Sequence, residues 1–187
     1  MDNDLVDRIA HAPLDQYINT SREHGKQAFL DVHRGAVLFV SRGPVEKDNP
    51  LETQRFAFGT SSGSLADLEA EIRQASRAVY VIQPANIDWT SLAFNSRKIW
   101  IGRAPNVAMR IKMPSVSKIH GYLRLDEASA QLYYKDIGSS NGSKVNGRML
   151  RGENSPEMPV ESGTELNIGG TELDVVTPVD FFDMFCK

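Results

Sequence analysis

Apolar and polar positions change rhythm once along this chain. From Asp4 to His24 the apolar residues recur at helical spacing, Leu5, Val6 and Ile9, then Leu14, Tyr17 and Ile18. Pro13 marks a break or a second helix start, and Gly25 a stop. The runs AVLFV (Ala36 to Val40) and RFAFG (Arg55 to Gly59) have the density of strands, with the polar stretch PVEKDNPLETQ between them as a loop. Next, SLADLEAEIRQAS places Ser64 and Asp67 at capping-box spacing and puts Leu65, Leu68 and Ile72 on one helical face. Residues 1–76 therefore predict a small α/β region of unknown role. From Val79 onward the pattern becomes short β-prone runs separated by turn residues: VYVIQPA, RKIWIG, GYLRL, QLYYKDI, TELNIG and TELDVV. Helical spacing returns only at FFDMF in the tail 179–187. Short strands at regular spacing predict a mainly β domain, a sandwich or barrel, over residues 77–178.

Composition adds exclusions. A chain of 187 residues with 41% hydrophobic and 24% charged residues can bury a real core, and a net charge of −3 creates no field that would gather nucleic acid. The beginning MDNDLVDR is acidic where a secretory signal needs a basic start, and no apolar run is long enough to span a bilayer; the simplest expectation is a cytoplasmic protein without membrane insertion. One cysteine, Cys186, excludes a disulfide framework and a multi-thiolate zinc site, and no metal or other cofactor is expected.

One stretch does not fit a flexible linker. DIGSSNGSKVNG, Asp136 to Gly147, is rich in hydroxyls, amides and glycines, yet Ile137 and Val145 punctuate it as in an ordered turn between strands. Two more turn-rich segments, GRAPN (Gly102 to Asn106) and SVSKIH (Ser115 to His120), fall between predicted strands. Loops at one end of a sandwich cluster in space. Together they offer a guanidinium (Arg103), an ammonium (Lys118), hydroxyls (Ser115, Ser117, Ser139, Ser140, Ser143) and an amide (Asn141), with Asp136 as the one carboxylate. That donor-rich set suits a tetrahedral anion, which Arg grips through its planar fork and Lys as a point charge. The Asn141-Gly142 pair can adopt positive φ and aim its polar neighbours outward.

Gly102-Arg103, then Ser117-Lys118-Ile119-His120, then Asp136 to Ser143 with Val145-Asn146-Gly147, resembles the signature of the forkhead-associated (FHA) domain. The likeness extends through the strand pattern from roughly Ala78 to Thr177. The resemblance implies a β-sandwich of about eleven strands that performs no catalysis and binds phosphothreonine peptides through loops at one end. By motif position, Arg103 and Ser117 would hold phosphate oxygens with Lys118 assisting, Ser140 would add a phosphate contact, and Asn141 would bond the peptide main chain. Gly102, His120, Asp136, Ser139 and Gly142 would support the loops. The implied role is a phosphothreonine-dependent adaptor downstream of a Ser/Thr kinase. The alternative is an FHA-like structural or assembly module that binds no phosphate. Ser140 and Ser143 stand where the family often has threonine, and Lys118 where it often has arginine or asparagine.

Two other features offer chemistry of their own. Gly59 to Gly63 matches G-x-S-x-G between a predicted strand and helix, which would make Ser61 a hydrolase nucleophile. That fold needs a large parallel sheet and a late histidine; His120 is already placed by the SVSKIH segment, so a loop leading to a helix cap is the plainer reading, and an anion held at that helix N-terminus is a separate, lesser alternative. Thr20 and Thr53 lie in polar contexts where phosphorylation would let the sandwich capture its own chain.

Overall fold

The computed structural model describes residues 10–46, 77–84, 87, 98–126 and 128–187. The predicted strand at Arg55 to Gly59, the Gly59 to Gly63 motif, the helix after Ser64 and Thr53 lie outside the described residues.

Residues 77–187 carry the short strands that the alternation predicts. They are β3 (Ala78–Ile82), β4 (Lys98–Gly102), β5 (Met109–Arg110), β6 (Gly121–Asp126), β7 (Gln131–Asp136), β8 (Ser143–Val145), β9 (Arg148–Leu150), β10 (Met158–Val160), β11 (Glu165–Ile168) and β12 (Thr171–Val176). Two strands come from the preceding region, β1 (Ala10–Pro13) and β2 (Val37–Ser41). They build a seven-stranded sheet in the order β1-β3-β2-β12-β11-β8-β9 and a five-stranded sheet in the order β10-β7-β6-β4-β5. Every named pairing is antiparallel except β4 with β5.

The fold is thus a β-sandwich, as expected, but the seven-stranded sheet runs across the expected boundary between residues 76 and 77. Strand β2 lies between β12 and β3, with Val175 opposite Phe39 and Tyr80 opposite Phe39 on the other side. Its composition explains the central position, since a strand covered on both faces is a continuous apolar run. Phe39 points between the sheets with Tyr80, Ile101, Leu123, Leu166 and Val175. Leu38 and Val40 point the other way, into a second core with Val79, Leu14, Phe29, Phe181 and Phe182.

Helices cover that second face. Pro13 ends β1, and α1 (Leu14–His24) starts at the next residue; Ala10–Pro13 is thus strand where the spacing predicts helix, and the Leu5, Val6 and Ile9 positions lie outside the described residues. Its first N–H is satisfied by the carbonyl of Arg77 at 2.9 Å rather than by a capping side chain. Gly25 ends α1 with φ of +78°, and α2 (Lys26–Val32) begins at once, an element too short to leave a periodic signal. The tail run FFDMF forms α3 (Pro178–Phe185): Thr177 accepts the Asp180 N–H at 3.1 Å, Pro178 occupies the first turn, and Asp180 adds negative charge there. The helices meet through rings, Tyr17 on Phe181 at 5.2 Å and Phe29 on Phe182 at 5.6 Å between centroids. No helix among the described residues is long and apolar enough to cross a membrane, and no group of three or more His, Cys, Asp or Glu among them is placed to hold a metal.

Candidate functional site

Three loops meet at one end of the sandwich, and glycine decides how closely. Gly102 closes β4, where an added Cβ would collide with the Lys118 carbonyl oxygen. Only a residue without a side chain allows that approach. The 115–120 loop is consequently zipped onto the end of β4: Arg103 N–H donates to the Ser117 carbonyl at 2.9 Å, Ala104 N–H to Lys118 at 3.0 Å, and His120 N–H to Ile101 at 2.8 Å.

The period-two register of β7 determines what lies beneath. Leu132 and Tyr134 face the core, so Asp136, two residues further on, ends the strand on the same buried face. By the same alternation β8 turns Ser143 and Val145 inward. The Asp136 carboxylate accepts the Gly138 and Ser139 N–H groups, both at 2.9 Å, on one oxygen, and the Ser139 and Ser143 hydroxyls, both at 2.6 Å, on the other. His120 Nε2 approaches the second oxygen at 3.4 Å. Burial by itself pushes this carboxyl up, but the bonds from His120, Ser139 and Ser143 outweigh it and hold Asp136 well below the ordinary carboxylate range. The hydroxyl of Ser143 is committed to Asp136, so it accepts from Tyr134 at 2.6 Å. Burial pushes the Tyr134 phenol up, keeping that donor protonated.

His120 joins this network to the open surface. Its Nδ1 accepts the Ser117 N–H at 3.1 Å, which assigns the ring proton to Nε2, facing the Gly142 carbonyl and Ser143 hydroxyl, each at 3.2 Å. Ser139, after donating to Asp136, accepts the Gly142 N–H at 3.0 Å. Gly142 takes φ of +73°. The expected loop supports Gly102, His120, Asp136, Ser139 and Gly142 thus stand below the surface or in its turns, tied to one another.

Above them the exposed groups converge. Ser117 Oγ accepts the Ser140 N–H at 3.1 Å and lies 3.5 Å from the Ser140 hydroxyl. Arg103 is exposed and its Nε donates to the Val116 carbonyl at 3.1 Å, which lays the guanidinium over the same loop. Asn141, also exposed, anchors one N–H on the Ser115 carbonyl at 2.7 Å and retains its amide oxygen and second N–H. Lys118 is exposed beside them and contributes its carbonyl to the zipped loop. The result is a shallow surface of cationic and hydroxyl groups, with its only nearby acid among these residues, Asp136, turned inward and saturated.

Three details differ from the sequence reading. Ser143 and Ser139, counted there among available hydroxyls, are buried and committed to Asp136. Asn141-Gly142 is not a paired positive-φ turn, since only Gly142 adopts it; the hairpin turn joining β8 to β9 is Asn146-Gly147, at φ of +49° and +79°. Tyr134 and Ser155, whose hydroxyl donates to the Asp136 carbonyl at 3.0 Å, were missed as supports.

The FHA domain family model matches residues 99–169, and no curated protein matches the chain. Several solved structures are similar. The FhaA FHA domain, complexed with the intracellular domain of Rv3910, shares 26% identity over 42% of this chain and 78% of its own, with a TM-score of 0.36. The MEK1 FHA domain, in complex with a HOP1 phosphothreonine peptide, shares 24% over 43% of this chain and 79% of its own, at 0.36. The N-terminal FHA domain of S. cerevisiae Rad53p, in complex with a phosphothreonine peptide, shares 17% over 79% of this chain and 98% of its own, at 0.41. The matched span opens in β4 and closes just after β11, so the part of this chain that matches the FHA domain family model, residues 99–169, contains all three loops and the network beneath them.

Proposed function

We propose that the chain is a noncatalytic, phosphothreonine-dependent interaction module that docks onto a partner phosphorylated by a Ser/Thr kinase, acting in the cytoplasm. The observation that carries this reading is the convergence of Ser117, Ser140 and Arg103 on one exposed surface, with Ser117 and Ser140 hydroxyls 3.5 Å apart. A phosphate dianion presents acceptor oxygens only, and the surface presents a guanidinium, two hydroxyls and the Lys118 ammonium. Each charge-assisted bond contributes about 1.5–3 kcal/mol, so a few give a reversible complex. Asn141, one N–H anchored and its oxygen free, is suited to hydrogen-bond a peptide main chain laid beside it.

An extended ligand is required for that last contact, which bears on self-capture. Thr20 lies within α1, where main-chain groups are already paired, and would reach the site only after the helix unwound. We infer that Thr20 is not the residue captured; Thr53 lies outside the described residues. We also read residues 10–46 and 77–187 as one folding unit, because β2 is a central strand of the sheet.

The test is binding to an oriented phosphothreonine peptide library, with unphosphorylated and phosphoserine peptides as controls. Selective binding that falls by well over tenfold in Arg103→Ala is expected, since truncating one partner of a hydrogen-bonded charge pair costs about 2–5 kcal/mol. A folded protein that retains no phosphopeptide would instead favour the assembly-module alternative.

A further inference from the structure

A cavity of about 210 Å³ opens beside the loop end of β4, where the β1 edge of one sheet faces the segment after β5 of the other. Its polar wall is strongly one-sided. His11, Arg77, Arg110 and Lys112 line it, against one carboxylate, Glu46, with Tyr80 among the other lining residues. Strand alternation explains the crowding. Met109 and Ile111 are fully buried in the inter-sheet core, which turns Arg110 and Lys112 to the opposite side.

These cations are built in rather than loose. Arg77 Nε donates to the Ser41 carbonyl at 2.8 Å, and Arg110 Nε to the Arg103 carbonyl at 3.3 Å. The Tyr80 hydroxyl donates to the Arg110 carbonyl at 2.9 Å, and His11 stacks on the Tyr80 ring at 5.8 Å. Glu46 is engaged by Lys112 at 2.5 Å. Neither Arg77 nor Arg110 forms an ion pair among the described residues, so among these residues the cavity's positive charge outweighs its one carboxylate, and an incoming anion would be attracted to it. Arg110 also joins the two places, because it pairs with Gly102 in the sheet and its side chain holds the backbone of Arg103.

We propose that this cavity is a second anion subsite of the recognition surface, taking an acidic side chain or a second phosphorylated residue of the same partner. The inference rests on the phosphothreonine reading and specifies its ligand: a phosphothreonine accompanied by negative charge on one flank. Carboxylate and phosphate share the required chemistry, a compact anion with several acceptor lone pairs.

The experiment uses the whole chain and labelled peptides in fluorescence anisotropy. One phosphothreonine peptide has neutral flanks; others carry glutamates on either side, or a second phosphothreonine. A peptide with acid on one side should bind about three- to tenfold tighter than the neutral one, a second phosphate should outdo glutamate, and both gains should shrink at high salt. Arg77→Gln combined with Lys112→Gln should erase the gain while leaving the neutral peptide unchanged. Lys112→Glu, which sets two glutamates against the two arginines, should also abolish the preference, so that glutamate-flanked and neutral peptides bind alike. Equal binding of neutral and acidic peptides by the unaltered protein overturns the subsite, as does a preference that survives the double substitution. If the neutral phosphopeptide binds and Arg103→Ala abolishes it while flanking acid adds nothing, only the subsite falls. Failure of every phosphopeptide removes both readings.

Discussion

Replacing Asp136 with asparagine keeps the shape of the side chain and reverses the polarity of one of its two hydrogen-bonding ends. The retained oxygen can still accept the Gly138 and Ser139 amides at 2.9 Å, and the new NH₂ then faces the Ser139 and Ser143 hydroxyls, each 2.6 Å from the lost oxygen. Those hydroxyls lose a charged acceptor. Ser143 cannot simply reverse its role, because it already accepts from Tyr134, and Ser139 already accepts from Gly142. Two charge-assisted bonds at about 1.5–3 kcal/mol each, partly offset by bonds to the new amide, give an expected destabilisation of about 2–4 kcal/mol. Urea denaturation of Asp136→Asn at neutral pH measures it. The same substitution alters the pH profile with a definite sign. The folded carboxyl ionises well below an unfolded aspartate, whose value is about 3.9, so its stabilisation is fully present above about pH 4 and is lost as pH falls toward the folded value. The gap between the two proteins should therefore be constant near neutrality and narrow as acid is added below pH 4. A variant within about 0.5 kcal/mol of the original at pH 7, or a gap that widens in acid, would refute the argument that this carboxylate organises the loops.

Gly102→Ala should leave the secondary structure intact but push the 115–120 loop off β4, because the methyl group meets backbone at Lys118; the expected result is phosphopeptide affinity reduced by at least tenfold, measured by calorimetry. Phe181→Ala removes a fully buried ring from the core beneath the helices and should cost about 3–5 kcal/mol in denaturant, in the same single transition that reports on the inter-sheet core; two separate transitions would contradict a shared folding unit. Arg42 bonds Asp174 and Glu165 on an open surface, with its side chain 41% exposed, so Arg42→Ala should change stability by no more than about 1 kcal/mol, and less at high salt.

The sandwich strands were legible because their alternation is local: QLYYKDI announces Leu132 and Tyr134 inside within a single run. The same alternation, carried one step further, reaches Asp136 and would have buried it, and applied to Ser143 and Val145 it would have removed a hydroxyl from the exposed inventory. The allegiance of Ala36 to Val40 was not legible in this way. Its apolar run signals a strand, but its pairing partners lie in β12 and β3, and nothing local states which distant strands will flank it. The strands β5, β9 and β10 are two or three residues long and carry no period to read. Gly102 and the three loops were found because their chemistry is positional, a glycine where backbones touch and hydroxyls where an anion would sit.

The pairing of β2 with β12 also bears on how the protein is made. Arg42 and Asp174, at the end of that pairing, are 132 positions apart in sequence. During synthesis, Leu38, Phe39 and Val40 emerge early; β3 can close one edge once residue 82 is made, but the other edge stays open until β12 has been translated. Topologies dominated by such distant pairings fold slowly, and waiting strands of this kind are sites of aggregation. A ribosome-stalled chain halted before residue 171, with that edge of β2 unpaired, should therefore be bound by chaperones more than the complete chain.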